Sequence, residues 1–318
     1  MPRFVNALLA GLVVIASANK SWGQADSPPS IPPPPGAPFV VPPPPPNNIG
    51  YDQVPPLVVT EVPTSPWNGP HGMFAGVEVG LAFPQFTHFS GFPTTHLDPT
   101  VSPEFTLGYR FGYGGSVLFD YRLLDTSGSH SSADWDVHSR LRLNTWDIDY
   151  QSPLHCGAGG WACQWQIGVR FADWLERSRF ADSVDGPVGA SNRFSGAGPH
   201  LGLGVWRMFD DRGLALFAKV DGAIVVGDGD QALSANALGP GLTPITFGVS
   251  GPETIPYLNV QVGVSWMKTV GSYWLRLDAG YQYEQWWMRA TGKNSFEALY
   301  PNIDWLSHGP FVRLQLGF

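Results

Sequence analysis

The stretch His308-Gly309-Pro310-Phe311-Val312-Arg313-Leu314-Gln315-Leu316-Gly317-Phe318 alternates between two kinds of side chain. Counted in twos, one face carries only apolar side chains, and the other carries mostly polar or small ones. The apolar face consists of Val312, Leu314, Leu316 and Phe318, and the other face of Phe311, Arg313, Gln315 and Gly317. A period of two is that of a β-strand with one apolar and one mostly polar face. Its length is about the 9–11 residues that a tilted strand needs to cross a membrane.

The composition fits strands that contact lipid on one side and water on the other. Charged residues make up 14% of the chain, against about 25% in ordinary soluble domains. Aromatic residues reach 13%, and the mean hydropathy is -0.06. No run approaches the ~18 apolar residues of a membrane-spanning helix. A soluble β-sandwich fits this combination less well.

The N-terminus predicts export. Arg3, the apolar run Ala7–Ala16 and the small-residue exit Ser21-Trp22-Gly23 are the three parts of a cleaved secretory signal peptide. We therefore expect residues 1–23 to be removed. Removal takes positive charge from a chain whose formal net charge is already -8, and so acidic a protein is not expected to bind nucleic acid.

Residues 24–70 contain 17 of the 31 prolines. Such a segment favours polyproline II and has little apolar material to bury, so it is predicted to be a disordered, Pro-rich linker. It is either a plain spacer or an extended arm that reaches the cell wall or a periplasmic partner.

Residues 71–318 divide into ten alternating segments, counting the one quoted first. The other nine are Met73–Phe83, Pro103–Gly112, Ser116–Leu124, Val137–Gln151, Trp161–Leu175, Arg193–Met208, Gly213–Val226, Tyr257–Met267 and Tyr273–Trp287. Each places apolar side chains on one face and polar side chains on the other. The pattern predicts an all-β fold, an antiparallel up-and-down transmembrane β-barrel of about ten strands.

The fourth segment differs from the others because its alternation changes phase. Its first half is predicted to place Leu141 and Leu143 outward, with Arg140 and Arg142 inward. Its second half, from Trp146 onward, has the opposite phase. A β-bulge or emergence of the strand from the membrane accounts for such a slip.

The connections between segments alternate in predicted length. Short turns such as Tyr113–Gly115 and Phe209–Arg212 alternate with long connections such as Glu176–Asn192 and Gly227–Pro256. Outer-membrane barrels have short periplasmic turns and long outer loops, whereas a soluble sandwich has no reason to sort its connections. With an even number of strands, the first strand begins and the last strand ends on the short-turn side.

Closure and inward charges follow from the lipid environment. An open sheet edge in lipid costs several kcal/mol per unpaired backbone group, and a charge on the lipid face costs roughly 2–4 kcal/mol at the midplane. The charged residues of the strands are therefore predicted to face the lumen. The candidate pore-lining residues are Glu78, Arg110, Asp120, Arg122, Arg140, Arg142, Arg170, Lys219, Asp221, Arg276, Asp278, Glu284 and Arg313. A salt-bridge network that braces the barrel explains these inward charges as well as a pore lining does.

The aromatic residues near the segment ends predict interfacial girdles. The tryptophans concerned are Trp135, Trp146, Trp161, Trp165, Trp266, Trp286, Trp287 and Trp305, of which some are expected to pack inside the barrel or in loops. The two cysteines, Cys156 and Cys163, predict a small disulfide loop in an exported protein, with reduced thiols as the alternative.

Motifs for catalysis are missing from the sequence. It contains no GxSxG, HExxH or GxxxxGK[ST] motif, and the eight histidines are scattered without ligand spacing. We therefore expect neither an enzyme nor a cofactor or metal. His138 and His200 are candidates to face the lumen, with ordinary hydrogen bonding as the expected role.

Several runs near the middle of the chain resemble a known family. Asp134-Trp135-Asp136, Arg140-Leu141-Arg142-Leu143 and Trp146-Asp147-Ile148-Asp149-Tyr150 resemble the central segment of the Legionella-type major outer membrane protein family. Ile167-Gly168-Val169-Arg170-Phe171 is similar to that family's next strand. The resemblance implies a pore-forming outer-membrane barrel over about residues 72–318, and the Pro-rich linker lies outside the family pattern. The final strand likewise resembles the C-terminal assembly signal of outer-membrane barrels, with Phe318 as its last residue.

The sequence thus predicts a barrel in the outer membrane of a diderm bacterium. We expect a porin-like protein that gives passive passage to small polar solutes or ions, with its charge preference set by the inward charges. Its expected partners are outer-membrane lipid and the barrel assembly machinery. The first alternative is a non-conducting structural or surface-interaction barrel. The second is a soluble secreted β-sandwich that binds a ligand, which would be extracted without detergent.

Overall fold

The computed structural model describes residues 71–88, 95–112, 114–131, 135–156, 158–182, 186–209, 213–235, 245–288 and 303–318. The predicted signal peptide, residues 1–23, and the predicted Pro-rich linker, residues 24–70, lie outside the described residues and stay predictions. No helix in the described ranges is long and apolar enough to span a membrane.

Ten long strands form one antiparallel sheet. They are β1 (Gly72–His88), β2 (Thr100–Arg110), β3 (Ser116–Ser131), β4 (Trp135–Gln151), β5 (Trp161–Asp182), β6 (Gly186–Met208), β7 (Leu214–Ala235), β8 (Ile245–Val270), β9 (Tyr273–Met288) and β10 (Ile303–Gly317). Two two-residue strands, Thr95–His96 and His155–Cys156, and a short 3-10 turn, Ala158–Gly160, lie in the connections.

The sheet closes on itself. Each long strand pairs with the one before it in the chain, and β1 also pairs antiparallel with β10. This last pairing runs from Phe74 opposite Gly317 to His88 opposite Ile303. The predicted closed, antiparallel, up-and-down barrel of ten strands is therefore confirmed.

The strands are strongly tilted. A path that starts at Gly72 on β1 and moves from each residue to its paired residue on the next strand goes once around the barrel. It returns to β1 at Pro84, twelve residues beyond Gly72. For ten strands, a stagger of this size corresponds to a tilt of about 40°. The tilt brings residues from distant strands to the same height in the lumen, which the sequence pattern alone does not reveal.

Alternation sorts the side chains between lipid and lumen. On β1, Val77 and Val79 are outward and exposed, whereas Glu78 between them is buried inside. The same holds on the closing strand, where Leu314 is exposed and Arg313 is buried. The phase predicted from the sequence matches the structure on every strand except the first half of β4.

The phase predicted for the first half of β4 is wrong. The strand has one continuous register with both neighbours and no bulge. Leu141 and Leu143 are buried inside the barrel, whereas Arg140 and Arg142 are exposed on the outside. The physical reason is that this part of β4 lies above the membrane, where the outer surface contacts water and polar groups and the interior is apolar.

The barrel interior is divided into three layers along its axis. The upper apolar layer, toward the long connections, is one cluster of buried side chains: Ala82, Phe86, Leu97, Leu124, Leu141, Leu143, Ala172, Trp174, Phe194, Ala223, Val225, Ile255, Tyr257, Trp286 and Trp305. The lower apolar layer, toward the short turns, consists of Phe74, Leu118, Ala162, Trp206, Ala215, Phe217, Met267, Trp274 and Phe311. Between them lies the polar belt, which contains most of the inward charges.

Much of the chain predicted to form long connections continues as paired strand. β5 and β6 remain paired up to Asp182 opposite Gly186, within the predicted connection Glu176–Asn192. β7 and β8 remain paired up to Ala235 opposite Ile245, within the predicted connection Gly227–Pro256. We call the belt of exposed apolar side chains on the outer surface, such as Val77, Val79 and Leu314, the apolar band. The barrel wall extends well beyond this band, because backbone pairing continues after the outward side chains become polar.

Trp161 and Trp165 lie on the outer surface, as expected for a girdle, and Trp286 and Trp305 are buried in the upper apolar layer, as expected for the tryptophans that pack inside the barrel. The disulfide prediction needs correction. The thiol of Cys163 is free and exposed, so the predicted disulfide with Cys156 is not formed. Cys163 lies opposite His155, and Cys156 lies opposite Ala162, so the register does not pair the two cysteines.

The position of the apolar band can be tested with two variants, each of which carries one new arginine at a different height on the outer surface. Val262→Arg places a charge on the lipid face in the middle of β8, and should lower the free energy of unfolding by about 2–4 kcal/mol. The control Ser195→Arg lies above the band, opposite Asp173 and Asp228, and should be tolerated. Urea titration in lipid vesicles measures the free energy of unfolding of both variants and of the unmodified protein. Equal losses would contradict the assigned band.

Candidate functional site

The polar belt contains most of the predicted site residues. Eleven of the thirteen candidates face the interior: Glu78, Arg110, Asp120, Arg122, Arg170, Lys219, Asp221, Arg276, Asp278, Glu284 and Arg313. The other two, Arg140 and Arg142, are on the outer surface, so their prediction as lumen residues is wrong. Arg140 pairs with Asp125 outside the barrel, and its side chain is 63% exposed. A pore-lining role for the eleven stays a prediction.

The closing seam of the barrel carries its own ion pairs. Arg313 on β10 lies directly opposite Glu78 on β1 and Asp278 on β9. Its Nη2 is 2.5 Å from Glu78 Oε2, and its Nη1 is 3.8 Å from Asp278 Oδ2. Arg313 also donates a hydrogen bond of 3.3 Å to Gln261 on β8. One cation thus connects the first strand to the last three.

Other contacts join neighbouring strands or cross the lumen. Arg122 on β3 lies 2.7 Å from Glu284 on β9, on the far side of the barrel. Arg170 on β5 makes two hydrogen bonds of 2.6 and 2.7 Å to Asp147 on β4. The guanidinium of Arg170 also stacks 4.0 Å from the ring centroid of Tyr257 on β8. The polar belt is thus a connected network that ties opposite walls together.

The lower part of the polar belt is locally basic. Arg110 lies 4.7 Å over the ring of Trp274, and Arg276 lies 5.4 Å over the ring of Trp206. Lys219 lies 5.9 Å from the Trp206 ring, and no ion pair joins it to any described residue. These cations line a cavity of about 100 Å³ that extends from the network toward the short turns. The cavity has room for several water molecules.

Asp147, Asp149 and His200 are the one group among the described residues whose ligand atoms are close enough to hold a metal ion, all within 4.8 Å. The structure gives these groups other partners. Asp147 is engaged by Arg170, and His200 Nδ1 lies 2.9 and 3.0 Å from the two oxygens of Asp149. Gly168 lies between Asp149 and His200 in the sheet, and a β-carbon there would overlap the Asp149 carboxylate. The arrangement is that of a hydrogen-bonded charge network.

Some members of this network are not among the thirteen residues predicted to line the pore. Glu104, Asp147 and Asp149 are inward on β2 and β4, but they were not among the candidates. The signal was present, since Trp146-Asp147-Ile148-Asp149-Tyr150 alternates and places both carboxylates on one face. Of the two histidines singled out, His200 is inside, whereas His138 is outside and lies 2.8 Å from Ser129 Oγ.

The second half of the chain is similar to a known protein family. The model of the family described as Legionella pneumophila major outer membrane protein precursor matches residues 167–318. The predicted family is confirmed over these residues. Of the runs that carried the resemblance, Ile167–Phe171 begins the match, and Asp134–Tyr150 precedes it. The protein is an outer-membrane β-barrel, as predicted. No curated protein sequence matches the chain.

Several solved barrels are similar in fold. The outer membrane protease OmpT from Escherichia coli is 9% identical and has a TM-score of 0.47, with 78% of this chain and 97% of that chain covered. Ail, the attachment invasion locus protein of Yersinia pestis, is 9% identical with a TM-score of 0.28 and coverages of 77% and 98%. A FadL homologue from Pseudomonas aeruginosa is 8% identical with a TM-score of 0.24 and coverages of 80% and 93%. None of these likenesses indicates what this chain binds or does.

The Arg170–Asp147 pair tests whether the network braces this outer-membrane barrel. Arg170→Met leaves Asp147 buried without its partner, and should lower the free energy of unfolding by about 3–5 kcal/mol. The double variant Arg170→Met/Asp147→Leu should recover most of the loss, because no unpaired charge remains. The matched control Arg140→Met breaks an exposed pair and should change little. The free energy of unfolding in urea is measured for the unmodified protein and the three variants. A loss in R140M equal to that in R170M would refute the bracing role.

Two carboxyl groups above the apolar band predict a pH dependence. Burial raises the pKa of Glu176 to about 7, against a hydrogen bond from Ser178 that lowers it. Burial raises the pKa of Glu253 to about 7 as well, and the charge of Asp230 adds to the effect. Because the folded protein keeps these protons to higher pH than the unfolded chain does, stability should fall as the pH rises from about 4.5 through about 7.

The measurement is the free energy of unfolding across this pH range. Glu176→Gln/Glu253→Gln removes both titrating groups, so its stability should not show the decline of the unmodified protein. A decline of the same size in the double variant would assign the pH dependence to other groups.

Proposed function

We propose that this protein is a non-conducting structural and surface-interaction barrel of the outer membrane. The observation that carries the proposal is the upper apolar layer, which crosses the lumen from wall to wall. Of the ten strands, only β2 contributes no side chain to this layer, and Leu97 lies just before that strand. Side chains that meet across the full width of a barrel leave no continuous water path.

The packing of the upper apolar layer is tight. Trp305, Phe86, Phe194 and Leu141 are each exposed by 1% or less. The ring centroids of Trp286 and Trp305 are 6.5 Å apart, and those of Tyr257 and Trp286 are 4.5 Å apart. A pocket lined by Leu141, Phe194, Trp286, Trp305 and four neighbours has a volume of about 10 Å³, which is at the lower limit for one water molecule. The small pocket and the low exposure of the side chains support a closed lumen.

The wall above the layer supports an interaction role. The hairpin of β5 and β6 and the hairpin of β7 and β8 rise past the apolar band as paired strands. Their outward residues there include the charged Asp173, Arg177 and Asp230. Paired strands present such side chains at defined positions, as a binding surface requires.

A passive channel for small polar solutes or ions is the second candidate. The cavity below the upper apolar layer favours it, because Arg110, Lys219 and Arg276 line a space that extends toward the short turns. In this proposal the inward charges set the charge preference of the pore. Conduction would require the upper apolar layer to move aside.

The predicted partners belong to the same proposal. The pairing of β10 with both β1 and β9 is compatible with a last strand that guides assembly and ends near Phe318. The barrel assembly machinery is the proposed partner of that strand. The Pro-rich residues 24–70 are proposed to act as an arm toward the cell wall or a periplasmic partner.

Planar bilayer recordings separate the two functions. The unmodified protein should show no discrete conductance steps, because the upper apolar layer closes the lumen. Trp305→Ala/Phe194→Ala removes two large side chains from that layer and should produce steps. The control Trp165→Ala removes a tryptophan from the lipid face and should stay silent. Heat-modifiable gel mobility confirms that each protein is folded. Discrete steps in the unmodified protein would refute the closed lumen and establish the channel.

A further inference from the structure

A group of arginines lies on the outer surface of β4, β5 and β6, above the apolar band. We call this group the arginine patch: Arg140, Arg142, Arg177, Arg179 and Arg193. All five are exposed and point away from the lumen. Neither the lumen network nor the upper apolar layer uses any of them. The patch is therefore available to something outside the barrel wall.

The sheet register brings these positive charges together. Arg140 on β4 lies directly opposite Arg177 on β5. Leu175 lies between Arg142 on one side and Arg193 on the other. Like charges directly opposite in a sheet destabilise it. An arrangement of this kind is tolerated when an anion lies between the charges.

The protein neutralises only part of the patch. Asp125 accepts two hydrogen bonds from Arg140, of 3.1 and 2.9 Å. Arg193 lies opposite Asp230 on β7. For Arg142, Arg177 and Arg179, no hydrogen bond or ion pair joins the guanidinium to any residue that the structure describes. At least three positive charges are thus left for an external anion.

The lower edge of the patch, at Arg142, lies just above the headgroups of the outer leaflet. Below it, the last outward aromatic residue of β4 is Trp146, which stacks 5.8 Å from Tyr121, as in an interfacial girdle. Arg142 lies four residues further along the strand. At ~3.3 Å per residue and a tilt of ~40°, this is about 10 Å above the Trp146 ring, and Arg140, two residues further and opposite Arg177, is about 15 Å above it. Headgroups occupy roughly 5–8 Å beyond the hydrocarbon on each side, and arginine side chains reach down toward them.

We propose that the arginine patch binds the phosphate-bearing headgroups of lipids in the outer leaflet. The planar guanidinium forms two parallel hydrogen bonds to a phosphate, which an ammonium group does not. The patch lies on the barrel wall just above the leaflet, and its long side chains reach down to the headgroup of a lipid beside the barrel. The inference is independent of whether the lumen conducts.

The test uses the full-length protein in detergent micelles and a fluorescent short-chain phosphatidic acid, whose headgroup is a phosphate monoester. Arg142→Gln/Arg177→Gln/Arg179→Gln removes the three arginines without a protein partner. Each arginine near an anionic surface contributes about fivefold in affinity, so the triple variant should bind about a hundredfold more weakly. The matched control is Arg207→Gln, an arginine at the opposite end of the barrel that stacks 5.6 Å from Trp161. It should leave the affinity unchanged.

Two competitors identify what the patch recognises. Phosphatidylcholine, which has a zwitterionic headgroup, should displace the probe poorly, and so should inorganic phosphate at the same concentration. Equal displacement by inorganic phosphate would mean an adventitious ion only, and would overturn the proposal. Unchanged affinity in the triple variant would overturn it as well.

Folding is checked by heat-modifiable gel mobility before binding is measured. If the triple variant does not fold, the single variants Arg177→Gln and Arg179→Gln replace it. Each should weaken binding by about fivefold. Unchanged affinity in both single variants would overturn the proposal.

Discussion

Backbone hydrogen bonding in lipid is the constraint on which this structure depends. No water reaches the middle of a membrane, so every strand needs a neighbour on both sides. The pairing of β1 with β10 provides the last neighbour. At this seam Arg313 lies between Glu78 and Asp278, so the residues that close the sheet also start the interior network. Closure of the backbone and pairing of the charges therefore occur at the same place.

The charges inside follow from this closure. A narrow barrel has no polar surface other than its lumen within the membrane, so carboxylates and guanidinium groups collect there. Buried charges have to be paired with good geometry to be tolerated, and Arg122–Glu284 and Arg170–Asp147 meet that demand. The resulting network occupies much of the lumen. With the upper apolar layer above it, the interior of this barrel resembles a protein core more than an aqueous channel.

The outer surface and the interior reverse their polarity at the upper edge of the membrane. Below that edge, Ile148 and Val169 are outside, and Asp147 and Arg170 are inside. Above it, Arg140 is outside and Leu141 is inside. The same strands thus act as a membrane wall in one half and as the wall of a water-exposed barrel in the other. This reversal explains both the upper apolar layer in the lumen and the arginines on the outer surface above the apolar band.

The sequence by itself determined which residues share a face, because side chains on a strand alternate with a period of two whatever the surroundings. It therefore predicted the ten strands, their closure and the inward direction of Arg110, Arg276 and Arg313. Only the tertiary structure decided where each strand leaves the membrane, since that height depends on the stagger between strands. For this reason the sequence predicted that Arg140 and Arg142 face the lumen, whereas both lie on the outer surface. The stagger also decided which inward residues meet across the lumen, because residues such as Arg122 and Glu284 become neighbours only when a tilted sheet closes.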